Sequence, residues 1–132
     1  MHQLLKITHS DEIVVAAFSD QAIGIDIERM KATDIEGLSS YLHHEEKAYI
    51  LSSFNKQDVF FTIWAKKEAY LKATGKGIAH ELTTLSVIEN NIINNHQHWY
   101  FRELHIHPSY KCFICSKYYS SNIFIQEYSL KN

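Results

Sequence analysis

The chain has 132 residues, the size of a single globular domain, so we expect one domain over residues 1–132. Apolar residues make up 45% and charged residues 21%, which is typical of a soluble globular protein and excludes the disordered and collagen-like classes. The formal net charge is -2 and the basic residues are scattered along the chain, so we expect no nucleic-acid partner.

The longest apolar run, residues 13–18, is too short to span a membrane, and the N-terminal segment lacks the apolar core of a signal peptide. The cysteines are Cys112 and Cys115, too few for a disulfide framework. Residues three apart in a strand face opposite sides, so we predict two buried thiols there. Together these features predict a cytoplasmic protein without a membrane partner.

The first part of the chain is expected to be β-structure. Residues 13–18 are rich in β-branched and apolar side chains, and three isoleucines alternate with other residues over 23–28. Asp20 and Gln21 stand between these two segments and can form a turn. We therefore predict a β-hairpin with its turn at Asp20 and Gln21.

Helices are predicted in the middle of the chain. Thr33 and Glu36 have the spacing of a capping box that opens a short helix through Leu42, and a second helix is predicted over residues 45–51.

A long helix is predicted between Asn55 and Gly75. Asn55 can cap its N-terminus, Phe54 and Val59 can form a hydrophobic staple, and Gly75 can end it. Apolar residues recur through this segment at helical spacing, so one side of the helix should be buried.

After the long helix the pattern returns to strands. Asn, Pro and Ser turns separate five predicted strands, at residues 82–88, 92–93, 99–107, 110–119 and 123–128. Consecutive strands joined by short turns favour antiparallel pairing. Because the helices do not alternate with the strands, we predict an α+β fold, with an antiparallel sheet packed against the long helix and shorter helices.

Carboxylates from two of these elements form a candidate site. Asp26 and Glu28 point to one face of a strand, and Gly24 on that face leaves room for a ligand. Two like charges side by side favour a cation between them. With Glu68 from the long helix, the set would suit Mg²⁺ or Mn²⁺ together with substrate phosphates, and Lys72 lies one turn beyond Glu68.

The alternative interpretation of these four residues is structural. Asp26 and Glu28 would be the solvated face of an edge strand, and Glu68 and Lys72 would be an ordinary surface pair worth only a few tenths of a kcal/mol.

The segments that carry these residues resemble a known family. Residues 24–28 (GIDIE) and 64–72 (WAKKEAYLK) resemble the paired signature of the 4′-phosphopantetheinyl transferase superfamily, and residues 7–10 (ITHS) resemble its Ser/Thr-His-Ser/Thr segment. The likeness covers essentially the whole chain. It is closest to the C-terminal half of the surfactin-synthetase-activating type, whose fold is a pseudo-dimer of two α+β halves.

The resemblance implies roles for individual residues. Asp26, Glu28 and Glu68 would hold Mg²⁺ against the pyrophosphate of coenzyme A, and Lys72 would stabilise the departing phosphate. His9, with Thr8, would contact coenzyme A phosphates, and Glu46 would be associated with the metal water or activate the nucleophile. Apart from the resemblance, Lys76 follows the end of the long helix and can reach a phosphate through its charge alone.

The implied reaction is transfer of 4′-phosphopantetheine from coenzyme A to a serine of an acyl or peptidyl carrier protein, with release of 3′,5′-ADP. Glu46 or Glu68 would remove the serine proton. The other implied possibility is a non-catalytic domain that retains the fold and binds coenzyme A or a partner chain. Because the large type has a second half, we expect self-association as a homodimer, with a trimer as the alternative.

Overall fold

A computed structural model describes residues 4–75, 82–117 and 124–129. The elements in chain order are β1 (Leu4–Ser10), β2 (Ile13–Ser19), β3 (Ile23–Arg29), α1 (Ile35–Ser39), α2 (His44–Leu51), α3 (Lys56–Thr74), β4 (Asn91–Asn94), β5 (Gln97–Glu103), β6 (Tyr110–Ser116) and β7 (Phe124–Ser129). These helices lie between β3 and β4, and the strand pairs are antiparallel, so the predicted α+β fold is confirmed. None of the described helices is both long and apolar enough to cross a bilayer.

The described strands form two sheets, with strand orders β1-β2-β7 and β3-β6-β5-β4. The predicted hairpin between β2 and β3 is wrong, because β2 pairs with β1 while β3 pairs with β6. The hairpin turn lies instead at Asp11 and Glu12. Asp11 has a φ of 49° there, a left-handed conformation that aspartate tolerates better than most residues.

The four-stranded sheet is the middle of three layers. One face packs on the β1-β2-β7 sheet through a core that joins alternate residues of β2, β3 and β6, including Ile25, Ile27 and Cys112. The opposite face packs on α3 through a second core that includes Phe113 and Cys115. Both cysteines are free and buried, as predicted.

The long helix α3 begins and ends as predicted. Asn55 is the N-cap, since its Oδ1 accepts a hydrogen bond from the Asp58 backbone N at 3.1 Å. Gly75 is the C-cap with a φ of 68°, a conformation that glycine adopts without strain. The predicted staple is wrong, because the Phe54 side chain is fully exposed while Val59 packs against the core.

The first short helix, α1, is capped by a different residue from the one predicted. The Asp34 side chain accepts a hydrogen bond from the Gly37 backbone N at 3.1 Å, so Thr33 and Glu36 do not form the expected capping box. The helix ends at Ser39, three residues before the predicted boundary.

The second short helix and the segment after α3 also differ from the prediction. α2 begins at His44, one residue early, and His43 and Glu46 form its capping box. The strand predicted over 82–88 is wrong: residues 82–84 are helical and 85–88 have no regular structure. Leu82, Leu85 and other apolar side chains of this segment pack against the α3 core.

Candidate active site

The candidate site lies where β3 faces α3. Asp26 projects from β3 with its side chain only 4% exposed, and its Oδ1 accepts a hydrogen bond from Lys72 Nζ at 2.9 Å. Its other oxygen, Oδ2, is buried and has no hydrogen-bond partner in the described part of the chain. A buried carboxylate oxygen without a partner costs free energy, so this oxygen is suited to receive a cation or a donor from a ligand.

Lys72 links three parts of the site. Its Nζ donates to Asp26 Oδ1, to the Ile25 carbonyl oxygen at 3.2 Å and to Thr8 Oγ1 at 3.3 Å. An ammonium group has three hydrogens, so these acceptors use all of them. Lys72 is therefore an ordered positive charge between β1, β3 and α3. Its partners are on other elements, so Glu68 and Lys72 are not the ordinary surface pair of the alternative interpretation.

Two further carboxyl groups surround Asp26, and the pKa of each is raised. Burial, the adjacent Asp26 carboxylate and the charge of Glu68 raise the pKa of Glu28 from its usual 4.5 to about 8, against an opposing effect of Lys72. Burial and Asp26 also raise the pKa of Glu68. Once protonated, Glu28 can donate a hydrogen bond to Asp26, which adds to the shift. Glu28 and Glu68 therefore lie in surroundings that disfavour their ionised forms.

The chemistry of these donors fits a hard divalent cation. All three are carboxylates, one has an unsatisfied buried oxygen, and burial together with the neighbouring carboxylates raises the pKa of the other two. As the side chains stand in the described ranges, however, no three acidic, His or Cys residues converge into a metal-binding group. The predicted magnesium site thus stays a prediction.

Glu46 lies in a different polar cluster. Its carboxylate is fully buried and pairs with Lys67 Nζ at 2.7 Å. Oε1 also accepts from the His43 backbone N, and Oε2 accepts from the Val87 backbone N at 2.7 Å. With both oxygens in use and no exposed surface, Glu46 serves in this structure to join α2, α3 and the segment after α3.

The neighbouring lysine was missed in the sequence analysis. Lys66 is 3% exposed, and its Nζ donates to the carbonyl oxygens of Val87, Ile88 and Glu89 at 3.2–3.4 Å. Burial lowers the pKa of Lys66 to about 8. The available signal was two consecutive lysines within a helix segment rich in apolar residues.

The residues predicted to bind coenzyme A differ in their exposure to solvent. Thr8 is buried beside Lys72, whereas His9, the next residue of β1, is exposed, as strand alternation requires. Lys76 lies outside the described residues.

Gly24 does not leave room for a ligand, contrary to the prediction. A Cβ atom built at this position would lie 1.8 Å from the Ala69 carbonyl oxygen and 2.5 Å from the Ala73 backbone N. The space beside Gly24 is filled by the backbone of α3. The glycine therefore allows the helix to approach β3 closely enough for Lys72 to reach Asp26.

Comparison with known proteins agrees with the motifs. A model of the 4′-phosphopantetheinyl transferase superfamily matches residues 22–125. The chain is 34% identical over 122 residues to the 4′-phosphopantetheinyl transferase gsp of Aneurinibacillus migulanus, covering 86% of this chain and 52% of that protein. It is 29% identical over 119 residues to the 4′-phosphopantetheinyl transferase Sfp of Bacillus subtilis (strain 168), covering 83% and 53%.

Among solved structures, the holo-[acyl-carrier-protein] synthase of Thermotoga maritima aligns with a TM-score of 0.49 at 18% identity, over 71% of this chain and 61% of that one. The chain spans about half the length of the curated relatives it matches. Because the superfamily model covers most of the chain, including the strand with Asp26 and Glu28 and the helix with Glu68 and Lys72, the resemblance is confirmed and the chain belongs to the 4′-phosphopantetheinyl transferase superfamily.

Proposed function

We propose that this chain transfers 4′-phosphopantetheine from coenzyme A to a serine of an acyl or peptidyl carrier protein in the cytoplasm, with Mg²⁺ or Mn²⁺. Membership of the superfamily supports the reaction class. The observation that carries the proposal is the state of the Asp26 carboxylate. One of its oxygens pairs with Lys72, and the other is buried without a hydrogen-bond partner in the described part of the chain. The neighbouring carboxyl groups of Glu28 and Glu68 both have raised pKa values.

Each residue of the site has a defined part in this proposal. Asp26, Glu28 and Glu68 would hold the metal ion, which supplies positive charge for the coenzyme A pyrophosphate. Lys72 already presents an ordered ammonium group beside Asp26, where it can neutralise charge on the departing phosphate. Thr8 lies next to Lys72 and can face the same phosphates.

In the transfer, the carrier serine Oγ forms a bond to the phosphorus of the pantetheine phosphate. The bond from that phosphorus to the bridging oxygen breaks, and 3′,5′-ADP leaves with the bonding electrons. The serine proton passes to a carboxylate. Of the two candidates, Glu68 suits this role better than Glu46, because Glu46 is fully buried with both oxygens already bonded, whereas Glu68 is partly exposed.

A transfer assay tests the proposal. The protein is incubated with an apo-acyl carrier protein, coenzyme A and Mg²⁺, and the carrier is weighed by mass spectrometry. We expect the added mass of phosphopantetheine, and we expect Asp26→Ala and Glu68→Ala to lose it while keeping their circular dichroism spectra. Glu12→Gln, an exposed carboxylate in the β1–β2 turn, is the control and should retain activity.

The rival interpretation, a domain that binds coenzyme A without turnover, predicts a different result. Isothermal titration calorimetry would then show coenzyme A binding while the carrier mass stays unchanged. That outcome, with a curated relative active in the same assay, would refute the transferase proposal.

Self-association as a homodimer is a further part of the proposal, with a trimer as the alternative. Leu5 and Ile7 on β1 are 50% and 58% exposed, and they lie on the same face of a sheet. Exposed apolar residues on a sheet face favour association. Light scattering should show a dimer, which Ile7→Asp should weaken, whereas Ile93→Asp on β4 should not. An active monomer would refute this part alone.

A further inference from the structure

A row of side chains covers the free edge of β3. Among the described strands, β3 is at the end of its sheet, so the backbone groups on one side have no neighbouring strand there. Residues two apart in a strand direct their backbone N–H and C=O groups to the same side, so the groups at this edge belong to Ile25, Ile27 and Arg29. Unpaired backbone groups at a buried edge must find other partners.

Those partners come from β1 and α3. Lys72 Nζ donates to the Ile25 carbonyl oxygen at 3.2 Å, Thr8 Oγ1 accepts from the Ile27 backbone N at 3.3 Å, and Ser10 Oγ accepts from the Arg29 backbone N at 2.9 Å. Thr8 and Ser10 are two apart in β1, so both face β3 while His9 between them faces away. Two hydroxyl groups thus take the place of a paired strand.

Thr8 differs from Ser10 in a second contact. Its Oγ1 also accepts from Lys72 Nζ at 3.3 Å, so both lone pairs of this buried hydroxyl are in use. Of the three acceptors of Lys72, Ile25 and Asp26 are on β3, and Thr8 is the one from the other sheet. The hydroxyl therefore fixes the ammonium group relative to both sheets.

We propose that Thr8 is a positioning residue that holds the Lys72 ammonium group beside Asp26 and anchors the edge of the carboxylate strand β3. The role rests on the proposed transferase function, in which Lys72 neutralises the departing phosphate. This positioning role is compatible with the phosphate contact expected of Thr8. Its Oγ1 only accepts in the bonds from Ile27 and Lys72, so the hydroxyl proton remains able to donate to a phosphate. Misplacement of Lys72 lowers the rate of the chemical step more than the affinity for coenzyme A.

The test compares Thr8→Val, which keeps the shape and removes the hydroxyl, with Thr8→Ser, which keeps the hydroxyl. We expect Thr8→Val to lower kcat by about 10- to 100-fold, and to raise the KM for coenzyme A by a smaller factor through the lost phosphate contact. Thr8→Ser should retain most of kcat. In a Lys72→Met background, Thr8→Val should cause little further loss, because the two residues act through one contact.

Amide hydrogen exchange provides a readout that does not depend on turnover. Thr8→Val should expose the Ile27 amide to faster exchange, and Thr8→Ser should not. Ser10→Ala is the matched control: it should speed exchange at Arg29 and leave kcat unchanged. Should Thr8→Val not fold, Thr8→Cys replaces it, since a thiol is a weaker acceptor of similar size, and the same criteria apply.

An unchanged kcat in Thr8→Val, or a rise in KM without a fall in kcat, would overturn the positioning role. Additive losses in the double variant would also overturn it, because Thr8 would then not act through Lys72. A wild-type protein that transfers nothing would instead defeat the proposed function, and exchange at Ile27 would still decide whether the Thr8 contact exists.

Discussion

The raised pKa of Glu28 predicts that the metal-free protein loses stability as the pH rises from about 5 to 8. The unfolded chain releases this proton near pH 4.5, whereas the folded protein keeps it up to about pH 8. Over this window the folded state binds more protons, so the free energy of unfolding falls as the pH increases. The stabilisation is fully present below pH 4.5 and is lost above about pH 8.

The size of the effect follows from the shift and from the exposure of Glu28. A change from 4.5 to about 8 corresponds to about 5 kcal/mol if none of it were screened. Because the carboxyl group is only partly buried, solvent screening reduces the expected loss to about 1–2 kcal/mol. For a domain of this length, that loss corresponds to a fall in Tm of roughly 3–10 °C.

The assay is thermal unfolding followed by circular dichroism between pH 5 and pH 9 in EDTA, for wild type, Glu28→Gln and the exposed control Glu12→Gln. Contributions from other groups are the same in wild type and variant, so they cancel in the difference between the two proteins. Glu28→Gln should be the more stable protein at pH 8, and the control should follow wild type. Excess Mg²⁺ should remove most of the wild-type loss, because the cation favours the ionised carboxylates.

Equal pH dependence in wild type and Glu28→Gln would refute the reasoning, because the carboxyl group would then not be short of positive charge. A rise in wild-type stability between pH 5 and pH 8 that is absent from Glu28→Gln would mean that Lys72 outweighs burial at Glu28. Either result would remove the electrostatic argument for a cation at this position.

Two further predictions concern the packing of α3. Gly24→Ala should cost about 3 kcal/mol, measured by urea unfolding, because the added Cβ would overlap the Ala69 carbonyl oxygen. Gly37→Ala should cost less, about 0.5–2 kcal/mol, because its Cβ would displace only the Asp34 side chain that caps α1. Glu46→Gln should cost about 3–5 kcal/mol by the same measurement, since it removes the carboxylate that neutralises the buried Lys67 ammonium group. A loss below about 1 kcal/mol in either main variant would show that the contact is not needed.

The sequence predicted those parts of the fold and site that depend on local pattern. Asn55 and Gly75 mark the ends of α3 because a cap depends on the few residues beside it. Asp26 and Glu28 face α3 because alternation in a strand is fixed, and the family motifs identified the helix that they meet. These features need no knowledge of distant contacts.

The failed predictions of the strand pairing and of the segment after α3 depended on distant partners. Two turns, at Asp11 and at Asp20, had comparable local chemistry, and tertiary packing decided which of them joined paired strands. The segment 82–88 has the apolar residues of a strand, yet several of its carbonyl oxygens accept from Lys66 and Lys67 on α3 instead of from a strand. No local pattern in the segment reveals that a helix will supply those donors.

The same contacts explain why the site is built on α3. On one side, the absence of a side chain at Gly24 lets the helix backbone rest against β3. On the other, Lys66 and Lys67 bind the segment after α3, and Glu46 ties that cluster to α2. A helix held from both sides cannot rotate to relieve the crowding of carboxylates that faces β3. The crowding of carboxylates therefore persists in the folded protein, as the proposed binding of a cation together with an anionic substrate would require.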